Sequence, residues 1–263
     1  MRACLPLVLV LPLLVAACDS DEPPSLAPED APAAVDAMHD FAVDLYHAFT
    51  DAEDGNLVFS PSAIAIPVAM LRAGAAGNTA AEIDTALHAE GLDLPADLGP
   101  LNDLLSACSG RYAQTDGSQV ELNLRAANAL WGQKGLAFLD PFLRTLDDAY
   151  GSPVRPTDFR AAPGAALEQI NAWVDEQTAG KIPKLLGPGN ITSLTRVVIG
   201  SAIFLDAPWL TLFDEGPVST FHRLDETQVR TPYMLVEEML RYAAGDGYQV
   251  SRSPTPAAPC RCW

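Results

Sequence analysis

The amino-acid sequence predicts an α+β domain, in which both helices and strands are present. Several segments repeat apolar residues at three- and four-residue steps and start at helix-capping signals, as amphipathic helices do. The segment LTRVVIGSAIFL (194–205) is apolar almost throughout, which is typical of a central strand covered on both faces. The chain has 263 residues and no internal repeat, which suits one large domain or two small ones.

The first 17 residues predict a signal peptide. Arg2 gives a positive start, and the apolar run Leu5–Ala17 is shorter than the roughly 20 residues that span a bilayer. The letters VAAC, ending at Cys18, resemble a bacterial lipobox, which implies cleavage before Cys18 and its lipidation. An ordinary secretory signal that contains a cysteine is the alternative. Residues 18–35 are acidic and Pro-rich, as in a disordered tether.

The first elements of the domain are a helix, a short strand and a second helix. Apolar spacing predicts the first helix over residues 35–49, and NLVFS (56–60) is typical of a short strand. Ser60 caps the second helix and Pro61 occupies its first turn. Almost all of its residues are apolar or small, so we expect it to be buried nearly all round. Pro67 predicts a kink or an early break.

The next elements are a helix opened by a capping box at Thr79-x-x-Glu82, and a weaker helix over 97–109. A turn at Asp116-Gly117 then leads into a long strand with the sequence VELNLRAANALW. The remaining elements are predicted in chain order as follows: a helix capped by Asp140 and ended by Gly151, an amphipathic helix over 164–182 with Gly180 at its end, the apolar strand, and short strands and turns over 207–250.

Catalytic and ligand-binding motifs are missing from the sequence. The four histidines lack metal-ligand spacing, there is no G-x-S-x-G elbow, and the Gly-containing segment RAGAAGNTAAE lacks the Lys of a phosphate loop. A net charge of -18 argues against nucleic acid and against anionic membrane surfaces as partners. Cys108 is the one cysteine within the domain, so a disulfide would need Cys260 or Cys262. We therefore expect no enzyme, cofactor, metal or small-molecule substrate.

Five blocks of sequence together resemble the serpins, a family of serine protease inhibitors. The blocks are NLVFSPSAIAIPVAMLRAGAAGNTAAEIDTAL, LRAANALWGQKGLAFLDPFL, YGSPVRPTDFR, INAWVDEQTAGKIPKLL and TRVVIGSAIFLDAPW. The resemblance implies the serpin fold, with a large central β-sheet, further sheets and surrounding helices. Residues 36–250 are interpreted as a partial serpin domain, the N-terminal two-thirds of the fold.

The resemblance also implies a function and a partner. Serpins offer a bait bond on a reactive loop to a serine or cysteine protease. After cleavage the loop inserts into the central sheet, beside a strand that matches 194–205, and the attached protease is distorted. The stored strain of the fold drives this switch. The expected partner is an extracellular protease. Together with the lipobox, this predicts an exported cell-envelope lipoprotein on the periplasmic or extracellular face, which contacts the membrane through its lipid anchor only.

The resemblance assigns four positions within the domain. Ser60 matches the first serine of the region where the central sheet parts. Ala63 stands where the second serine of that cluster is expected, and Ser201 stands where an asparagine is expected. These two departures weaken a polar network that restrains sheet opening. Trp209 matches the tryptophan under the entry point of the loop, and a plain core tryptophan is the alternative interpretation.

The last residues, 251–263, form an aberrant tail with three Pro, two Arg and two Cys. One set of codons for SRSPTPA, with a G placed in front, reads Val-Ala-Leu-Pro-Tyr-Ala-Gly in another frame, which fits the strand that follows GDGYQV in the family. We therefore expect a frameshift after Val250 and a reactive bond that is absent from the chain as written. The resulting hypotheses are a serpin-type inhibitor that is inactive as written, a non-functional remnant, or a non-inhibitory surface lipoprotein.

Overall fold

A computed structural model describes residues 32–52, 55–223, 225–237, 241–246 and 248–252. Helices predominate in its first part and strands in its last part, which is consistent with the predicted α+β class. The helices are α1 Pro32–Ala52, α2 Pro61–Arg72, α3 Gly77–Ala86, α4 Leu94–Leu98, α5 Leu101–Ser106, α6 Asp140–Asp148 and α7 Pro163–Gln177. The strands are β1 Gly110–Ala113, β2 Gln119–Gln133, β3 Val154–Thr157, β4 Val197–Asp206, β5 Asp214–His222, β6 Gln228–Leu235, β7 Arg241–Gly245 and β8 Tyr248–Arg252.

Strand β2 organises the main sheet. Its first residues form an antiparallel hairpin with β1, and its C-terminal end pairs in parallel with β3. Between Asn123 and Gly132 it pairs antiparallel with β4, from Asp206 back to Val197. Because β3 and β4 both pair with the same end of β2, they lie on opposite sides of it. The long strand that the sequence predicts is thus the centre of this sheet.

The main sheet is covered on both faces. One face carries Leu130 of β2 and Ile199 of β4, which pack against the buried face of α2 and against α1 and α6. The other face carries Trp131 and Ala202, which pack against Trp173 and its neighbours on α7. Alternating side chains of an extended strand point to opposite faces, so an apolar run is what a strand needs between two helical layers. The two covered faces that the sequence predicts for 194–205 are confirmed for β4, which spans Val197–Asp206. The central position is not, because β2 is the one partner of β4 among the described strands.

The later strands form two separate hairpins. Strands β5 and β6 pair antiparallel, with a register shift between Glu215 and Val218, and β7 pairs antiparallel with β8. This agrees with the short strands predicted for 207–250. Strand β8 continues through Ser251 to Arg252, two residues into the segment interpreted as an aberrant tail. The rest of that segment lies outside the described residues.

An expectation about the segment before α2 is wrong, whereas the one about the burial of α2 is confirmed. The segment 56–60 forms no strand, and the side chain of Val58 is 95% exposed. A strand needs a neighbouring backbone to pair with, and none of the described strands runs beside this segment. Helix α2 is buried nearly all round, as predicted: Ala65, Ile66, Ala69 and Met70 are buried, and Leu71 is its one exposed residue. Pro67 does not end the helix, which continues to Arg72.

Predicted helix starts are less accurate than the helices themselves. Helix α3 begins at Gly77, so Thr79 and Glu82 lie inside it and form no capping box. Asp140 is the first residue of α6 rather than its cap, which is Leu139. The weak helix expected over 97–109 is two short helices, α4 and α5, of which α4 is capped by the side chain of Asp93. Composition identifies a helical segment, whereas its first residue depends on local backbone angles.

Candidate functional site

The candidate site is the free edge of β4 together with the elements that fix that strand. All ten residues of β4 pair with β2 on one side. On the other side, β4 has no partner among the described strands, so its outward-facing N–H and C=O groups are available to a further strand. The site is therefore a docking edge for backbone rather than a pocket with catalytic groups.

The start of α2 carries the first of the predicted positions. Ser60 is the N-cap residue, and its Oγ accepts a hydrogen bond from the amide of Ala63 at 3.3 Å. The Ser60 Oγ also lies 3.1 Å from the Oγ of Ser62. Ala63 thus supplies a backbone donor to Ser60, where the family pattern expects a second serine. The hydroxyl beside Ser60 comes from Ser62 instead, a residue that the sequence interpretation did not consider.

Ser201 lies in the middle of β4, directly opposite Asn128 of β2. The Oδ1 atom of Asn128 is buried and has no hydrogen-bond partner among the described groups. In the described part of the chain, no hydrogen bond joins Ser60 to Ser201, although α2 and β4 pack in the same cluster. The predicted positions Ser60 and Ser201 therefore lie on elements that pack together, α2 and β4, but no hydrogen bond joins their side chains. Asn128 was missed, although a single amide in the run RAANALW was a visible signal.

The opposite face of β4 is held by aromatic side chains. The rings of Trp131 and Trp173 meet edge to face, with their centroids 5.2 Å apart. The guanidinium carbon of Arg155 lies 5.7 Å from the Trp131 ring centroid and 5.9 Å from that of Trp173. Gly200 of β4 sits beneath both rings, where an added Cβ atom would be crowded by the two indoles. This cluster couples α7 to the strand whose edge is free.

Trp209 lies three residues beyond the end of β4. Its side chain is 44% exposed, and its ring meets that of Phe213 edge to face at 5.8 Å. The backbone carbonyl of Trp209 accepts a hydrogen bond of 2.7 Å from Nε2 of Gln114, a buried side chain in the turn between β1 and β2. With its side chain nearly half exposed, Trp209 is not a plain core tryptophan.

Other predicted positions are placed as follows. Cys18 lies outside the described residues, and so do Cys260 and Cys262, the two alternatives for a disulfide. Cys108 takes part in a disulfide. Within the described ranges, no His, Cys, Asp or Glu side chains cluster in a way that suits a metal ion. None of the described helices has the length and apolar character of a membrane span.

Comparisons with known proteins agree on one family. The sequence profile described as Serpin (serine protease inhibitor) matches residues 36–254. The leukocyte elastase inhibitor of Bos taurus is 36% identical over 200 residues, which are 75% of this chain and 50% of that protein. The chain therefore spans about half the length of the curated relatives that it matches.

Solved structures share the fold. Reaction-loop-cleaved lamprey angiotensinogen superimposes with a TM-score of 0.70 at 26% identity, covering 85% of this chain and 64% of that one. The Arabidopsis protein AtSerpin1, in its native stressed conformation, gives a TM-score of 0.67 at 23% identity and covers 87% and 58%. The second likeness shows the fold alone.

Proposed function

The chain belongs to the serpin family, and from this premise we propose that it is a protease inhibitor that traps its target by inserting a reactive loop beside β4. The proposal concerns the whole inhibitor, because the present chain spans about half of its curated relatives. The inhibitor is not an enzyme, since the protease supplies the nucleophile and the inhibitor supplies the bait bond and the sheet that receives the loop.

The free edge of β4 is the observation that carries this proposal. A strand added there would find ten residues of extended backbone, already held in register by β2. Both faces of the sheet are already packed, by α2 and by α7, so an added strand would extend an existing core. Main-chain hydrogen bonds supply most of the affinity in such strand addition. The energy of the trap would come from these bonds and from the apolar surface that the added strand buries.

We propose serine proteases as the target class. The bovine relative is named for the inhibition of leukocyte elastase, a description that applies to that protein. Cysteine proteases are the alternative target class. The bait residues decide between them, and the reading-frame experiment below would reveal those residues.

The frameshift hypothesis supplies the second part of the proposal, which is that the chain as written does not inhibit proteases. The first experiment is to resequence the gene through codon 250 and several hundred bases beyond it. A one-base adjustment that opens a frame through a strand, a hinge and a reactive loop would support an intact inhibitor. If the present frame and its stop are confirmed, the chain is a broken serpin or a non-inhibitory lipoprotein.

Inhibition is then tested on both products, the 263-residue chain and the chain from the adjusted frame. Each is incubated with a panel of serine and cysteine proteases, and complexes that survive denaturing electrophoresis are counted. We expect covalent complexes from the adjusted product only. Complexes formed by the 263-residue chain would contradict its proposed inactivity, and none from either product would contradict the inhibitor proposal.

We also propose that the mature protein is anchored to the cell envelope through a lipid on Cys18. The lipobox pattern and the acidic, Pro-rich residues 18–35 support this. Metabolic labelling with a radioactive fatty acid should mark the wild-type protein and leave Cys18→Ser unlabelled. Secretion of an unlabelled wild-type protein would instead indicate an ordinary signal peptide.

A further inference from the structure

The turn between β1 and β2 is fastened to the segment that follows β4. Gln114 Nε2 donates to the carbonyl of Trp209 at 2.7 Å, and the backbone amide of Thr115 donates to the carbonyl of Leu210 at 3.3 Å. The two pairs of residues are 95 positions apart in the chain. The contact therefore joins two elements that the β2–β4 ladder does not reach.

Gln114 is oriented by its own network. Its Oε1 accepts a hydrogen bond of 2.8 Å from the hydroxyl of Ser118. Its backbone amide donates to the Ser118 carbonyl at 2.9 Å, and its carbonyl accepts from Gly117 at 3.0 Å. A backbone carbonyl only accepts, so the amide nitrogen of the side chain must face Trp209 and the oxygen must face Ser118. The side chain is 7% exposed, which makes the loss of either bond costly.

The position of this contact relates it to the free edge. Strand β4 ends at Asp206, and the backbone that Gln114 holds begins three residues later, at Trp209. The segment that Gln114 holds is therefore continuous with the C-terminal end of the strand whose edge is free. Ser60 and Ser201, two positions of the polar network that the resemblance implies, are not joined by a hydrogen bond among the described residues. The hydrogen bond from Gln114 is instead a polar restraint next to the C-terminal end of β4.

We propose that Gln114 is a positioning residue that latches the segment 207–213 and thereby sets how readily a strand pairs with the edge of β4. The inference rests on the proposed function for its consequence, since the latch matters only if a strand is inserted there. The direct effect of the latch is on the mobility of residues 207–213, and this mobility can be measured without any protease. Failure of the latch and failure of inhibition are therefore distinguishable.

The test uses Gln114→Glu in the full 263-residue chain, with hydrogen exchange followed by mass spectrometry. At neutral pH a carboxylate keeps the acceptor for Ser118 and lacks the donor for Trp209, so exchange in 207–213 should rise about five- to tenfold over wild type. At about pH 5 a buried glutamic acid is largely protonated and donates again, so most of this rise should disappear. A defect caused by the shape of the side chain alone would not recover on protonation.

Gln119→Glu is the matched control, because Gln119 is an exposed residue of the same hairpin and the substitution changes the charge equally. It should leave exchange in 207–213 within about twofold of wild type at both pH values. Ser118→Ala serves if Gln114→Glu unfolds the chain, and it should raise exchange in the same segment by freeing the Gln114 amide to rotate. Unchanged exchange in both the Gln114→Glu and Ser118→Ala chains would overturn the latch, as would a rise in Gln114→Glu that persists at low pH.

Discussion

Gly200 shows how the absence of one side chain sets the contact between β4 and α7. A Cβ atom built at this position would lie 3.0 Å from Cζ3 of Trp131 and 3.3 Å from Cζ3 of Trp173. The two indoles are pressed together and Trp131 is fully buried, so neither has room to retreat. Glycine is therefore required here for close packing rather than for an unusual backbone angle.

We predict that Gly200→Ala lowers the free energy of unfolding by about 1–3 kcal/mol, because overpacking displaces the two tryptophans. The matched control is Gly164→Ala, in the first turn of α7, where a Cβ would meet nothing within 4 Å. That change should raise the free energy of unfolding by up to about 1 kcal/mol, as alanine favours a helix. Urea unfolding monitored by circular dichroism measures both, and an equal effect at the two sites would disprove the packing argument.

Two tyrosine hydroxyls differ in their surroundings. The hydroxyl of Tyr150 is buried with no partner among the described groups, and this burial raises its pKa. The hydroxyl of Tyr112 donates to the carbonyl of Cys108 at 2.8 Å. We predict that Tyr150→Phe leaves the free energy of unfolding unchanged or raises it by up to about 2 kcal/mol, while Tyr112→Phe lowers it by about 1 kcal/mol. Parallel denaturant titrations test the difference, and a larger loss for Tyr150→Phe would reveal a partner for its hydroxyl.

At the scale of elements, the sequence indicated which segments are helices and strands better than it indicated their partners. The apolar periodicity of α7 and the apolar run of β4 were enough to predict a helix and a strand, because each element buries apolar residues that are visible in the sequence. The segment 56–60 looks like a strand by the same criterion but lacks a neighbouring strand. The contact of Gln114 with Trp209 had no sequence signal, since the two residues meet only once the whole sheet is folded.

Helix α1 is tied to the turn after α3 by one exposed ion pair. Nε2 of His88 lies 2.7 Å from Oδ2 of Asp44, and Asp40 and Glu90 add further negative potential. The hydrogen bond to Asp44 is the main cause of a His88 pKa above its ordinary value. A histidine pKa that is raised in the folded state stabilises the fold fully below the unfolded pKa of about 6.5, and the stabilisation is lost as pH rises through the folded pKa.

We predict that the stability contributed by this pair declines as pH rises above about 6.5 and that His88→Ala removes this part of the pH dependence. The size should be small, because both side chains are exposed to solvent. His39→Ala, on an exposed face of α1, is the control and should preserve the wild-type slope. Melting temperatures measured across this pH range provide the comparison. Identical slopes in wild type and His88→Ala would show that the pair does not contribute.

At the scale of the whole molecule, a strongly negative surface opposes an edge that favours pairing. The net charge of -18 repels a second copy. The edge of β4 that faces away from β2 has no partner among the described strands, and unpaired strand edges promote association between chains. Since salt screens the repulsion without weakening backbone hydrogen bonds to the same degree, the balance between the two should shift with ionic strength.

We predict that the 263-residue chain self-associates with rising concentration, more strongly at high salt, and that Leu205→Glu weakens this association. Leu205 lies on β4 and is 56% exposed. Because glutamate has a low strand propensity, we expect the substitution to weaken the free energy of association by about 1 kcal/mol, or roughly fivefold in Kd. Leu185→Glu is the control, because Leu185 is 52% exposed, lies outside the strands and undergoes the same change of charge. Sedimentation velocity over a series of concentrations measures the effect. A chain that stays monomeric, or that responds equally to both substitutions, would show that the edge of β4 does not direct pairing.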